Sequence, residues 1–332
     1  MHAPPNVDIA HTNALRNACP ICHGQVHSIF EIFDDRYGFP GQRSLWCCAS
    51  CGHRALNAGM DAREISDLYT HYYPRSGFDV EAWTPPTSES ASRSWWQGLN
   101  ASAFRWVPPD VRVLDIGCGF GESLGYHRAR GCDAHGVEAD ANILRVANRH
   151  GLNVRHGLFD ADNYAPEFFD VVTMDQVIEH VTCPVEVLRG IRQVLKPAGM
   201  LIITTPNAGG WGARVFGSKW IHWHAPYHQQ FFSRQSMQEA ARASGFSLER
   251  QRTLTNSAWL GFQWCHLLSY PKPGERSAFW SPLVQRTIGQ RWGFRLLSVL
   301  DRLGINSLLT RIADIAGYGD NVVFVLRKVS NA

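Results

Sequence analysis

The stretch "VRVLDIGCGFGES", residues 111–123, constrains this chain more than any other. An apolar run short enough for a buried strand reaches Asp115, meets Gly117, Gly119 and Gly121, and gives way to an amphipathic segment through about Arg130. Glycines serve where a backbone must bend tightly and approach a ligand in front of a helix N-terminus. The alternation then continues through "DAHGVEAD" (strand), "ANILRVANRH" (helix), "NVRHG" (strand), "FFDVVTMD" (strand), "PVEVLRGIRQVLKP" (helix) and "GMLIITTPN" (strand). Units of this length predict an α/β protein with a doubly wound parallel sheet that binds its ligand at the carboxyl ends of the strands.

The loop reads G-x-G-x-G behind an acid, in place of the G-x-G-x-x-G of dinucleotide enzymes. Asp115 would repel a pyrophosphate but suits the ammonium of an amino-acid-bearing ligand. Glu138, at the end of the next strand, can accept two hydrogen bonds from a ribose diol. With "FFDVVTMDQVIEHV" and "VLKPAGMLIITTPN", these residues resemble the class I S-adenosylmethionine-dependent methyltransferases, in the branch of the ubiquinone-pathway O-methyltransferases, over roughly 88–253. The resemblance implies a mostly parallel, Rossmann-like seven-stranded core built from 109–254 and 319–330. It also implies S-adenosyl-L-methionine held by Asp115, Gly117, Gly119 and Gly121 at its methionine end, and by Glu138 at both ribose hydroxyls. Phe159 with Asp160, or the nearby Asp162, would flank the adenine, and Asp175 would stand near the sulfonium.

Methyl transfer to a hydroxyl needs an acceptor placed in line and a group to take its proton. In "MDQVIEHV", Gln176, Glu179 and His180 are spaced to share one side of a helical turn just beyond Asp175. In "WIHWHAPYHQQFFS", His222, His224 and His228 precede a helix expected to begin near Ser233 and end at Gly245. The resemblance sets a histidine before the "FFS" turn over the acceptor, which makes His228 the first candidate base and His180 the second, with Glu179 and Asp175 beside them. Relatives with E-x-x-E-H here bind a divalent ion. This chain reads Q-x-x-E-H, and one lost anionic ligand weakens a magnesium site, so Mg2+ on Glu179, His180 and His228 stands as the alternative to a plain base. The expected acceptor is a hydroxyl of a small or lipid-linked molecule (a glycan, quinone precursor or secondary metabolite), with a carbon acceptor next. No N-P-P-Y motif follows the fourth strand, which disfavours exocyclic amines of nucleic acid.

Two C-x2-C knuckles, Cys19/Cys22 and Cys48/Cys51, stand 25 residues apart. In a chain without an export-type leader they suit four-thiolate structural zinc better than disulfides. The expectation is a zinc-ribbon-like domain over 1–60, with Cys47 and His53 as substitute ligands, in which the metal replaces a core too small to form alone. Cys118, Cys132, Cys183 and Cys265 are assigned no chemistry. Residues 61–108 read as a linker and helices, with Trp95, Leu99 and Trp106 forming the apolar stripe of one helix that ends at Pro108 and Pro109.

Two final strands, 247–254 and 321–328, are separated by some 66 residues, too long for a plain loop. This 255–318 insertion is aromatic, basic and partly amphipathic, which suits a helical lid over the acceptor or contact with a membrane surface. The N-terminus lacks a basic start and apolar core, and no run reaches the ~20 apolar residues of a spanning helix. A cytoplasmic enzyme, peripheral to the membrane at most, is expected. The formal charge of +3 names no polyanionic partner, and the ribbon's "QVHSIFEIFDDRYGFPGQRSLW" has no basic stripe, which argues against an RNA methyltransferase. A non-catalytic cofactor-binding protein is the rival from another class.

Overall fold

The computed structural model describes residues 18–57, 68–72, 84 and 90–329. At the N-terminal end, Val26–Phe33 (β1) and Gln42–Cys48 (β2) form an antiparallel hairpin, and Arg54–Leu56 (β3) pairs with β2. Most of the 61–89 passage lies outside the described residues. After it, Ala91–Gln97 (α1) is capped by Ser90 and closed by Gly98 in the left-handed conformation at φ 70°. The one helix expected across Trp95, Leu99 and Trp106 is therefore broken. A Cβ at Gly98 would collide with the Thr255 carbonyl, so the chain turns there and continues as two 3₁₀ turns, Leu99–Ala101 and Ala103–Trp106. Trp95 ends 49% exposed and outside the core.

The main sheet contains Arg112–Ile116 (β4), Asp133–Glu138 (β5), Asn153–His156 (β6), Phe169–Asp175 (β7), Leu195–Pro206 (β8), Phe246–Thr253 (β10) and Asn321–Lys328 (β11). Its order is β10-β11-β8-β7-β4-β5-β6, parallel from β8 to β6, with β11 antiparallel to both neighbours. Helices Glu122–Arg128 (α2), Ile143–His150 (α3) and Pro184–Val194 (α4) cross between these strands. Val113, Leu114, Val171, Val172, Leu201 and Ile203 are at most 1% exposed, each contributing about 1.5–3 kcal/mol of burial. The expected seven-stranded, mostly parallel α/β architecture is the one observed.

After β8 come the short helix Trp211–Val215 (α5), the two-residue strand Gln230–Phe231 (β9) and Arg234–Ala243 (α6). Helix α6 begins with a capping box between Ser233 and Ser236. The insertion between β10 and β11 folds as Ser257–Leu268 (α7), Ile288–Arg302 (α8) and Ile305–Ile315 (α9). Strand β9 extends the N-terminal hairpin into a four-stranded sheet, β1-β2-β3-β9. The ribbon is thus not a bead on a linker. Cys19, Cys48 and Cys51 share one apolar cluster with Phe232 and Met237, so the core that 1–60 lacks by itself is supplied by the larger sheet domain.

Candidate active site

Strand β4 carries Asp115 into the interior at its C-terminal end, where Thr173 Oγ1 donates a hydrogen bond at 2.7 Å and Ser123 Oγ donates another. Burial lifts its carboxyl to about 7. The loop behind it is built for a close backbone approach. Gly117 at φ 72° would drive a Cβ into Val177, whereas a Cβ on Gly119 at φ 55° would meet open space. The Glu138 carboxylate accepts from Gly119 N and Asp140 N, both at 2.9 Å, which holds it across the loop mouth. An acid at the loop, exposed glycine backbone and a braced acid at the next strand end make a donor and acceptor set that fits the methionine end and ribose of S-adenosylmethionine.

At the end of β6, Phe159 packs on Tyr164 with ring centroids 6.0 Å apart, and the preceding Leu158 is 82% exposed. The Asp160 carboxylate accepts from Asp162 N at 3.1 Å and caps a 3₁₀ turn. Asp175 closes β7, where Thr204 Oγ1 donates to it and burial raises its carboxyl.

Past Asp175 the sequence expectation of one helical turn fails. Gln176 adopts φ 56°, and its amide donates to Asn321 Oδ1 at 2.8 Å, which turns it away from Glu179. The 3₁₀ turn Ile178–His180 then directs Glu179 and His180 inward. His180 Nδ1 donates to the Tyr227 carbonyl and His228 Nδ1 to the His222 carbonyl, each at 2.9 Å. Both imidazoles are thereby left with Nε2 unprotonated, their rings 4.7 Å apart. Glu179 accepts from Thr205 Oγ1 at 3.0 Å, keeps Oε1 buried without a partner, and has its carboxyl raised to about 8 by burial. The ligating atoms of Glu179, His180 and His228 lie within 4.8 Å of one another. Burial lowers the imidazoles of His180, His224 and His228, the last two well below the ordinary value, and takes His222 to about 3.

Part of the site was not visible in the sequence. The β1–β2 loop "DDRYGF" is organised by Asp34, whose carboxylate accepts from the backbone N–H groups of Arg36, Tyr37 and Phe39 at 2.9–3.0 Å. It delivers Tyr37 against His224 and Tyr227, with centroids at 6.1 and 5.8 Å. Arg36 lies under Trp280 at 4.2 Å and bonds the Ile221 carbonyl, while Asp35 stands 3.2 Å from His266 of α7. Ribbon loop and insertion therefore enclose the histidines together. In the sequence these charged residues stood out only as part of a segment without a basic stripe.

The four knuckle thiols converge, with Cys19 Sγ 3.6 Å from Cys51 Sγ and Cys22 Sγ 3.4 Å from Cys48 Sγ. All four lie within 4.8 Å of one another, and edges of this size suit a tetrahedron with metal–sulfur bonds of about 2.3 Å. Cys47 is not part of this cluster, and His53 Nε2 is engaged with Gln230 Oε1 at 2.9 Å.

A seven-stranded sheet of this order, with an acid and glycine loop after β4 and a second acid after β5, defines a class I S-adenosylmethionine-dependent methyltransferase. The chain belongs to the methyltransferase-domain family, whose match covers residues 75–251, more than half of its length. The ubiquinone biosynthesis O-methyltransferase of Thiobacillus denitrificans is 29% identical over 195 residues, 51% of this chain and 84% of that protein. Its counterpart in Pseudomonas fluorescens Pf0-1 is 31% identical over 140 residues, and the match spans only 60% of that protein and 36% of this chain. Phosphoethanolamine N-methyltransferase 2 of Haemonchus contortus, solved with S-adenosyl-L-methionine, superposes with a TM-score of 0.45 at 21% identity, over 71% of this chain and 53% of that one.

Proposed function

We propose that this methyltransferase acts on a hydroxyl oxygen of a small or lipid-linked molecule, with His228 as the proton acceptor and His180 in support. The observation that carries this reading is the pair of neighbouring imidazoles, half-buried His180 and buried His228, whose Nδ1–H groups are committed to backbone carbonyls, leaving each Nε2 with its lone pair. Bound S-adenosylmethionine supplies an electrophilic methyl on its sulfonium. Asp115, Gly117, Gly119 and Gly121 would hold its amino-acid end, Glu138 its ribose, Phe159 and Asp160 its adenine, and Asp175 would stand near its sulfonium. Tyr37 and Tyr227 close the acceptor side and exclude water, and the O-methyltransferases among the relatives agree with an oxygen acceptor.

One observation favours a variant of this mechanism. Glu179 keeps Oε1 without a partner, and its carboxylate lies within ligating reach of two imidazoles whose Nδ1–H is already committed. One carboxylate and two imidazoles suit zinc or manganese better than magnesium, which prefers an all-oxygen shell. Both versions are tested by following S-adenosylhomocysteine formation with hydroxyl, carbon and amine acceptors while titrating Mg2+, Mn2+ and Zn2+. Turnover is expected with hydroxyl acceptors; transfer to carbon or nitrogen alone would overturn the oxygen assignment, and a rate that climbs with an added ion would select the metal-assisted version.

A lipid-linked acceptor is supported by α8, along which Ile288, Trp292, Leu296, Val299 and Leu303 are 49–75% exposed at spacings of three and four, flanked by exposed Arg291, Arg295 and Arg302. An apolar stripe with cationic edges fits an anionic bilayer surface. Among the described residues no helix is long and apolar enough to cross a membrane, so the contact would be peripheral. Trp292→Glu with Leu296→Glu is expected to reduce sedimentation with vesicles containing phosphatidylglycerol at least about fivefold. Equal sedimentation of wild type and variant, or a stripe buried in a dimer in solution, would defeat this contact.

A further inference from the structure

Beyond the sheet's antiparallel edge lies a second cleft, of 730 Å³, between the end of β10, the loop after β8, the start of α6 and the end of α9. Four arginines line it, Arg214, Arg234, Arg252 and Arg311, against a single acidic residue, Asp314. That carboxylate is already committed. It accepts from Thr255 N at 2.9 Å and Thr255 Oγ1 at 3.0 Å, and pairs with Arg311 Nη2 at 2.6 Å. Among the described residues, none of Arg214, Arg234 and Arg252 has a carboxylate partner, and Arg214 rests over the Tyr318 ring at 5.1 Å. Arg311 is only 2% exposed, and although its Nη atoms are committed to the Trp95 and Thr255 carbonyls and to Asp314, its Nε has no acceptor.

Three cations gathered around one concavity repel one another, and nothing in the described fold neutralises them. Guanidinium forks match phosphate oxygens in bidentate geometry. The cleft is larger than an inorganic phosphate requires, and Trp95, Ile315 and Tyr318, 49%, 77% and 49% exposed, add apolar surface to its lining. From these observations we infer that the cleft is a binding site for an organic phosphate or diphosphate ester. None of Asp115, Gly117, Gly119, Gly121 and Glu138 is among the residues that line it.

The test uses the full-length protein and inorganic pyrophosphate at constant ionic strength, measured by calorimetry. Wild type is expected to bind it saturably, and Arg234→Ala with Arg252→Ala to bind at least about tenfold more weakly. Both side chains are exposed, so the double variant should keep its melting temperature and its affinity for S-adenosylhomocysteine. No saturable binding by wild type, or undiminished affinity in the variant, overturns the site. Phosphatidylcholine vesicles carrying phosphatidic acid distinguish the source: release of bound protein by pyrophosphate supports a lipid headgroup in the cleft, and pyrophosphate binding with no such release supports a soluble ester. Because the readout is binding alone, failure here leaves the methyl-transfer assignment untouched, and the reverse also holds.

Discussion

Replacement of His228 by alanine should lower turnover by about 10²- to 10⁴-fold, the usual contribution of a positioned general base, while the dissociation constant of S-adenosylhomocysteine stays within about twofold. The two effects separate because His228 groups with Glu179 and His180, whereas Glu138 bonds the Gly119 backbone of the cofactor loop. His228→Asn controls for packing, since its amide can still donate to the His222 carbonyl but supplies no basic nitrogen. The pH profile carries independent information. Burial holds the His228 imidazole well below 6.5, so it remains an unprotonated base at neutral pH and adds no fall of its own to kcat/KM as pH drops through 6.5, where Asp115 and Glu179 take protons. The loss that belongs to His228 comes lower, as the folded imidazole finally takes a proton. Stability has the same sign: below 6.5 the unfolded chain binds protons that buried His222, His224 and His228 refuse, so acid favours unfolding. Near-normal turnover by the alanine variant would remove His228 from the chemistry.

Replacement of Cys48 by serine should strip the knuckles of metal, lower the melting temperature by at least about 5 °C and reduce turnover with it. Structural zinc held by four thiolates contributes folding energy outright, so loss of one ligand removes several kcal/mol in order of magnitude. The damage should reach the histidines through backbone contacts. Leu56 N of β3 donates to the Gln229 carbonyl at 3.0 Å, Gln229 N donates to the Glu179 carbonyl at 2.8 Å, and His53 bonds Gln230, so the ribbon braces the residues flanking His228. Elemental analysis should find about one zinc per wild-type chain and none in the variant. Metal-free wild-type protein with full stability and turnover would show that the thiols pack without an ion.

How much could be read in advance depended on the distance over which each feature is specified. The acid, glycine loop and second acid occupy one strand–loop–helix–strand unit, and each knuckle spans four residues, so spacing alone marked Asp115, Glu138 and the four cysteines as candidates. Gln176 was misplaced because a left-handed backbone at that position cannot be seen in a spacing of three and four. The helix expected through Trp95 and Trp106 failed because Gly98 is held against Thr255, some 157 positions away in the chain. The ribbon's role at the acceptor side was hidden for the same reason: Asp35, Arg36 and Tyr37 acquire their meaning from His266, Trp280 and His224.

By itself, then, the sequence determined the units that local spacing can encode: the parallel core, its cofactor loop and two thiolate knuckles. Only the tertiary structure decided that β3 pairs with β9, that His180 and His228 meet beside Glu179, and that four distant arginines share one cleft. Hydrogen-bond periodicity and turn chemistry act over a few residues. Which surfaces meet is settled by burying apolar area across the whole chain, and no short stretch of sequence contains that information.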